Sequence, residues 1–173
     1  FIGTPYLNDI ELLSCDTNNN LYYFNDEFIF GKSDKFNENY DVLVYARRDI
    51  KKATIPSFIK FIAPAAFEDC TQLENVDISN LKLKELNIKT FSKSSIKSVK
   101  IPAEVEKIHE SCFSFCKNLE YIEFGVNSKL KLIDHEAFFQ SSISSISIPS
   151  HVREIGQFAF SKCTLLTDFS IPE

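Results

Sequence analysis

Apolar residues recur along the chain with a period of about 23 residues. One series of positions holds phenylalanine, a second holds leucine or isoleucine, and a third holds valine, isoleucine or phenylalanine. The three series are Phe67, Phe91, Phe113, Phe138 and Phe160; Leu73, Ile96, Leu119, Ile143 and Leu166; and Val76, Val99, Ile122, Ile146 and Phe169. This pattern predicts a solenoid, because one short unit cannot bury its own apolar face whereas stacked copies can.

Each unit predicts one short β-strand. In the stretch 73–78 the polarity alternates, so Val76 and Ile78 are expected to point inward and Asn75 and Asp77 outward. Copies of this strand would stack into a parallel sheet. The Ala-Phe-x-x-Cys part of the unit is too short for a stable helix and predicts a single helical turn. The phenylalanine series is then expected to form a column inside the solenoid.

The repeats alternate between two types. Phe67, Phe113 and Phe160 are followed by x-x-Cys-x-x-Leu, whereas Phe91 and Phe138 are followed by x-x-Ser-Ser-Ile, which is one residue shorter. The missing residue is compensated by one or two extra residues before Leu83 and Leu130, so the period is kept. We expect a surface loop to absorb these insertions.

The organisation of the chain follows from where the period holds. Residues 1–12 have the spacing of a partial repeat, and residues 51–173 hold about five repeats, of which the last is truncated. Residues 13–50 are too long for one repeat, and their β-rich runs at 27–31 and 41–45 predict a hairpin inserted into one enlarged repeat. Because the sequence starts and stops inside repeats, we interpret it as a segment whose open sheet edges favour end-to-end self-association.

The motifs Ile148-Pro149-x-x-Val152-x-x-Ile155 and Ala159-Phe160-x-x-Cys163-x-x-Leu166 are similar to those of the BspA-like (Treponema pallidum-type) leucine-rich repeat. This resemblance implies a right-handed, β-rich leucine-rich-repeat solenoid of the α/β horseshoe class. Its parallel sheet of short strands would lie on one side, with short helical turns and loops on the other. It also implies adhesion or protein recognition without catalysis, at the cell surface or in secreted proteins.

Composition narrows the classes of partner. The 173 residues are 44% hydrophobic and 25% charged, which is typical of a folded domain rather than a disordered chain. The net charge of −5 disfavours nucleic acid as a partner. No apolar run reaches the roughly 18–20 residues of a membrane span. One basic cluster, Arg47-Arg48 with Lys51-Lys52, is interpreted as a solvated edge beside the insert.

The cysteines are interpreted as core residues rather than as a disulfide framework. Cys70, Cys116 and Cys163 occupy the same slot in alternate repeats. Two strand spacings amount to about 9–10 Å, which exceeds the roughly 7 Å Cα separation that a disulfide tolerates. Cys112 falls in a slot of small residues and is also expected to be buried. Cys15 lies in the irregular segment and is the thiol that we expect to be reactive.

No catalytic or cofactor site is predicted. His109, Cys112 and Cys116 have a spacing similar to that of metal ligands, but a structural zinc site needs four ligands and both thiols fall in core slots. His135 and His151 occupy other phases of the repeat, so they are not expected to join such a site. The chain has no Gly-x-Ser-x-Gly elbow and no paired acids that suggest acid–base chemistry.

Outward strand positions form three rows across the predicted sheet. Opposite charges in these rows either stabilise neighbouring strands, each by under about 1 kcal/mol, or belong to a recognition face with Tyr121 as its aromatic anchor. The residues predicted to bind a partner are Lys97, Lys100, Glu120, Tyr121 and Glu123. The rows are Lys51, Glu74, Lys97, Glu120, Ser144 and Thr167; Lys52, Asn75, Ser98, Tyr121, Ser145 and Asp168; and Thr54, Asp77, Lys100, Glu123, Ser147 and Ser170.

Two functional hypotheses follow. The first is a protein-recognition module within a surface adhesin or antigen, which binds a host protein or another copy through the sheet face. The second is a structural scaffold or spacer within a large assembly, with an intracellular location left open. The unpaired thiols and the absence of an Asn-x-Ser/Thr glycan acceptor fit the second hypothesis at least as well.

Overall fold

The computed structural model describes residues 22–171, which form short strands and no helix. The expected partial repeat at 1–12 and the expected reactive thiol of Cys15 lie outside these residues. The strands are β1 (Tyr22–Phe24), β2 (Phe28–Gly31), β3 (Val42–Ala46), β4 (Lys52–Thr54), β5 (Phe61–Ile62), β6 (Asn75–Asp77), β7 (Glu85–Leu86), β8 (Ser98–Ile101), β9 (Lys107–Ile108), β10 (Tyr121–Phe124), β11 (Leu132–Ile133), β12 (Ser145–Ser147), β13 (Glu154–Ile155) and β14 (Asp168–Ser170).

The predicted stack of parallel strands is confirmed. Each repeat forms one coil of the solenoid, and its main strand belongs to the series β4, β6, β8, β10, β12 and β14. Three pairs form parallel ladders, which are β4–β6, β8–β10 and β12–β14. In β6, Val76 is buried while Asn75 and Asp77 are exposed, as the alternation predicts.

This series of strands is interrupted twice. No ladder joins β6 to β8 or β10 to β12. Single backbone bonds remain at the strand entrances, where the N–H of Lys97 donates to Glu74 O at 3.2 Å and that of Ser144 to Glu120 O at 3.3 Å. Strands β8 and β12 are the two that follow the shorter Ser-Ser-Ile turns. We infer that the missing residue changes how these strands enter the sheet.

A second strand in each coil was not predicted. Strands β7, β9, β11 and β13 form a parallel four-stranded sheet, and β5 pairs with β3. These strands are only two residues long, which is too short for an alternation to show in the sequence. Strands β9 and β11 bury Ile108 and Ile133, whereas Ile155 of β13 is exposed.

The predicted helical turn is wrong. Two residues of this segment, Ala65 and Asp69, have φ angles of 58° and 59°, and later coils repeat this feature. Every second backbone N–H group of this segment donates to a carbonyl group of the next coil. The N–H groups of the intervening residues donate to the carbonyl group three residues earlier in the chain. An α-helix needs every N–H for its i−4 bond, so none forms here. The intercoil bonds run from Ala65 to Ile88 (2.9 Å), Phe67 to Thr90 (2.9 Å) and Asp69 to Ser92 (3.0 Å).

The predicted phenylalanine column is confirmed. Neighbouring rings are nearly parallel, with interplanar angles of 1–16°, and their centroids lie 5.2–5.4 Å apart. Phe28 from the irregular segment meets the first ring edge-on, and Phe169 meets the last ring in the same way. The column therefore has an edge-on ring at both ends. Its stacked members are Phe67, Phe91, Phe113, Phe138 and Phe160.

The irregular segment covers the first coil. The two β-rich runs form β2 and β3, which pair antiparallel, and β1 adds to β2. Arg48 follows β3 and is buried, which corrects its interpretation as part of a solvated edge. Its guanidinium donates from Nη1 to Ala66 O at 2.9 Å and from Nη2 to Ala65 O at 3.3 Å, and it lies over the ring of Tyr45.

These contacts replace a preceding coil. In the regular coils, the carbonyl groups of the turn accept N–H groups from the coil before. At the first coil, the N–H of Ala46 donates to Ala66 O at 2.9 Å, and Arg48 supplies the further donors. The β2–β3 hairpin and Arg48 therefore close this end of the described solenoid.

Candidate functional site

The five residues predicted to bind a partner lie together on one face of adjacent coils. Strand β8 carries Lys100 and is preceded by Lys97, while β10 carries Tyr121 and Glu123 and is preceded by Glu120. The parallel register places Tyr121 beside Ser98 and Glu123 beside Lys100. All five side chains are exposed. We call these five residues the β8–β10 face.

Most of the charge on the β8–β10 face is neutralised within the protein. Lys97 Nζ lies 2.6 Å from Glu74 Oε2, and Lys100 pairs with Glu123. The hydrogen bond from Lys97, followed by its charge, lowers the pKa of Glu74. Because these side chains are half exposed, solvent screens both pairs and each contributes little stability. This geometry agrees with the first interpretation of the charged rows, in which opposite charges on neighbouring strands pair with one another.

Tyr121 and Glu120 are the members of the β8–β10 face that are left available. The Tyr121 side chain is 58% exposed. Within residues 22–171, Glu120 forms no salt bridge, although its backbone carbonyl accepts the N–H of Ser144. An exposed tyrosine on a hydrogen-bonded strand is a favourable anchor, because its backbone is already fixed and only two side-chain torsions remain to be ordered on binding.

A groove adjoins the face where the ladder between β10 and β12 is missing. Its volume is about 480 Å³. Half-buried Ile122 and Phe124 from β10 line one side, and Ser147, Pro149 and His151 line the other. Sequence reasoning missed this groove because it arises between coils. The shorter Ser-Ser-Ile turn was the signal that could have indicated it.

The residues with metal-like spacing do not converge on a site. His109 Nε2 lies 2.9 Å from Glu85 Oε2, whereas Cys112 and Cys116 are fully buried in the core. The Cys116 thiol donates to Phe91 O at 3.0 Å. Across residues 22–171, no group of three or more His, Cys, Asp or Glu side chains is arranged to hold a metal ion.

Burial of the described cysteines has a chemical consequence. Cys70, Cys112, Cys116 and Cys163 are free thiols, and the first three are buried as their slots predict. Burial raises the pKa of Cys70 to about 11 and that of Cys116 to about 12. The protonated thiol is a poor nucleophile. Cys70, Cys112 and Cys116 therefore act as small core residues. Cys163 occupies the same slot as Cys70 and Cys116 but is only half-buried, so its interpretation as a core residue is wrong.

Ion pairs also cross the coils outside this face. Glu104 Oε1 lies 2.7 Å from Lys129 Nζ, and its Oε2 lies 2.8 Å from Lys84 Nζ. The hydrogen bonds from Lys129 and Lys84 lower the pKa of Glu104 to about 2. Lys131 pairs with Glu106 at 2.6 Å. The lysines named here and those of the β8–β10 face thus all have carboxylate partners.

The fold and its repeats define the class of protein. Parallel strands on successive coils, with a largely buried phenylalanine column inside, form a leucine-rich-repeat solenoid. The BspA type leucine rich repeat region matches this chain in six copies over residues 40–167. The chain therefore belongs to the BspA type leucine-rich-repeat family. This family is defined by a repeat region and not by a catalytic domain.

Several solved structures share the fold. A leucine-rich repeat protein from Bacteroides ovatus is 26% identical, with a TM-score of 0.73 over 87% of this chain and 41% of that one. The pneumococcal vaccine antigen PcpA is 31% identical, with a TM-score of 0.61 over 69% and 29%. A leucine rich cell surface protein from Faecalibacterium prausnitzii is 18% identical, with a TM-score of 0.53 over 89% and 55%.

These matches cover only part of each similar protein. The chain spans between 29% and 55% of the length of these three structures. Comparison with curated proteins gives no match. Within the part of the chain that the structure describes, no helix is long and apolar enough to cross a membrane.

Proposed function

We propose that this chain is a non-catalytic protein-recognition module whose contact surface is the β8–β10 face together with the adjoining groove. The observation that carries the proposal is the position of Tyr121. Its exposed ring projects from a strand that pairs with its neighbour, close to the groove that begins at Ile122. Aromatic residues held in this way dominate the binding energy of many interfaces.

The members of the face would have different roles. Tyr121 is the anchor, and Glu120 offers a carboxylate that has no salt bridge within the described residues. Lys97, Lys100 and Glu123 form the polar rim, where paired charges select a partner more than they add affinity. This assignment follows from which side chains already have ionic partners.

A location at the cell surface or in a secreted protein fits this role. Two similar structures are named a vaccine antigen and a cell surface protein. The partner would then be a host protein or a second copy of this chain, and the whole protein an adhesin or antigen. Labelling of intact cells with a reagent that cannot cross membranes would test the location of the full-length protein.

The alternative is a structural scaffold or spacer in a large assembly. It is favoured by the free state of all four cysteines within residues 22–171, since secreted proteins more often contain disulfides. Protection of the full-length protein from surface labelling, together with tight co-purification with internal components, would support this alternative over the adhesin.

Self-association is a further proposal, and the two ends of the described solenoid differ in what they offer. The hairpin and Arg48 occupy the first coil, whereas the coil that contains β13 and β14 exposes Phe158, Leu165 and Ile171. We therefore propose that this segment, in isolation, associates through the latter coil. Light scattering over a range of protein concentrations should detect it, and Leu165→Glu should reduce it.

The central experiment replaces the anchor and one rim residue together. A Tyr121→Ala, Glu123→Gln variant should bind a partner isolated from host surface extracts at least about tenfold more weakly, as expected for loss of a hot spot. The matched control is Lys52→Ala with Thr54→Ala on β4, which changes the same two register positions. All variants should retain the wild-type melting temperature.

The outcomes separate the interpretations. Unchanged affinity of the double variant would remove this face from consideration. Equal losses in the double variant and in the β4 control would show that the sheet as a whole, rather than Tyr121, contacts the partner.

A further inference from the structure

A second exposed aromatic cluster lies on the turn segments, away from the β8–β10 face. Phe115 has a φ of 59° and a side chain that is 37% exposed. Bulky residues are disfavoured in this left-handed region. The equivalent positions in neighbouring coils hold the polar residues Lys93 and Gln140, with φ of 59° and 55°. The fold thus demands the backbone conformation but does not demand an aromatic side chain there.

A second aromatic ring completes the cluster. Phe139 from the next coil meets Phe115 edge-on, with centroids 5.4 Å apart and an interplanar angle of 77°. Phe139 directly follows the column residue Phe138. The equivalent positions in the two preceding coils hold Ser92 and Ser114, which are both buried. Phe139 is only half-buried. The pair Phe115–Phe139 therefore presents apolar surface to solvent, outside the phenylalanine column.

Two lysines lie over these rings. Lys162 Nζ is 5.3 Å from the centroid of Phe139, and Lys117 Nζ is 6.0 Å from that of Phe115. Lys117 also contacts Gln140 Oε1 at 3.2 Å. Neither lysine has a carboxylate partner within residues 22–171. They differ in this respect from Lys97 and Lys100, and their charge is available although the chain as a whole has a net charge of −5.

We propose that Phe115, Lys117, Phe139 and Lys162 form a second docking surface, the basic-aromatic corner, which binds an acidic protein segment carrying an apolar side chain. The apolar side chain would pack on the Phe115–Phe139 pair, and flanking carboxylates would pair with Lys117 and Lys162. Cation–π contacts at exposed sites are weak, so the ammonium groups can leave the rings and pair with carboxylates at little cost.

The number of charges decides between classes of partner. Recognition of an anionic membrane by a polybasic segment needs a cluster of about 4–8 basic residues. Duplex DNA binding commonly neutralises about 6–10 phosphates. Two lysines beside two rings fall short of both, but they suffice for one or two carboxylates next to one apolar side chain.

The test uses a short fluorescein-labelled peptide in which one phenylalanine is flanked on both sides by acidic residues. Fluorescence anisotropy should show salt-sensitive binding, and NMR amide shifts should concentrate at the basic-aromatic corner. A Lys117→Gln, Lys162→Gln variant should weaken binding about tenfold. Phe115→Asn should weaken it similarly, since Asn tolerates the left-handed backbone and so preserves the fold.

The controls separate this surface from general charge and from the β8–β10 face. Lys52→Gln with Lys107→Gln removes the same charge from exposed lysines elsewhere and should leave affinity unchanged. So should the Tyr121→Ala, Glu123→Gln variant, because the two proposed sites are independent. A peptide with alanine in place of phenylalanine should bind more weakly.

Three results would overturn the proposal. These are the absence of binding up to millimolar peptide, equal losses in the corner variant and the lysine control, and amide shifts that map elsewhere. Binding to anionic vesicles that depends on Lys117 and Lys162, without binding to the peptide, would assign the corner to a membrane surface instead.

Discussion

Truncation of one ring in the phenylalanine column offers the most direct check of the solenoid. Phe113 is fully buried, and its ring stacks on Phe91 at 5.4 Å and on Phe138 at 5.2 Å. Phe113→Ala removes a buried side chain worth about 1.5–3 kcal/mol. It also removes two aromatic contacts worth about 0.5–1.5 kcal/mol each. Together these contributions amount to about 2.5–6 kcal/mol. Buried Phe→Ala substitutions in general cost about 3–5 kcal/mol, and this is the loss that we expect.

The measurement is urea-induced unfolding followed by far-ultraviolet circular dichroism. The midpoint should fall while the dependence of unfolding free energy on urea stays constant, because the substitution changes stability and not the extent of the fold. Phe115→Ala is the matched control, since it removes the same ring two residues away from an exposed position. Ala65 already occupies a left-handed position of this fold, with φ of 58°, so the control introduces no new strain.

The control should lose less than about 1 kcal/mol, as is usual for exposed positions. Similar losses for Phe113→Ala and Phe115→Ala, or a loss below about 1 kcal/mol for Phe113→Ala, would refute the column as the main source of core stability. Phe169→Ala should lose an intermediate amount, because this edge-on ring is 44% exposed.

Two further predictions concern stability. Arg48→Ala should cost about 2–4 kcal/mol, because it removes buried packing and the donors to the carbonyl groups of Ala46, Ala65 and Ala66. A cost below about 1 kcal/mol in urea unfolding would show that the hairpin needs no such cap. The pKa of Glu104 is lowered from 4.5 to about 2. Its stabilising effect should therefore be complete above the unfolded value and be lost as pH falls through this window. Glu104→Gln should flatten the acid limb of a plot of urea midpoint against pH, and an unaltered limb would contradict the assignment.

The sequence alone determined the core and the direction of the main strands. The positions of Phe67, Phe113 and their equivalents were readable because one residue type recurs at nearly fixed spacing, so each copy reports the same environment. The alternation from Asn75 to Asp77 similarly predicted which side chains are buried. The hairpin strands were readable because each carries a continuous run of β-branched and aromatic residues.

Local interpretation was wrong where a neighbouring coil takes the hydrogen bonds. The segment around Phe67 was predicted as a helical turn, but half of its N–H groups bond to the next coil. Arg48 was interpreted as solvated because its sequence neighbours are basic, whereas its actual partners, Ala65 and Ala66, lie 17 and 18 residues away. A sequence pattern shows which residues are apolar, but it does not show which hydrogen-bond acceptors a neighbouring coil will provide.

The candidate sites divide in the same way. The 23-residue period predicted which residues form the β8–β10 face, because in a parallel register equivalent positions of successive repeats lie next to each other. The groove beside Tyr121 and the basic-aromatic corner depend on how successive coils are displaced and on which lysines find carboxylates. Only the tertiary structure decides these features, because they depend on distances between side chains one full repeat apart. The periodic burial of apolar residues, in contrast, follows directly from the periodicity of the sequence.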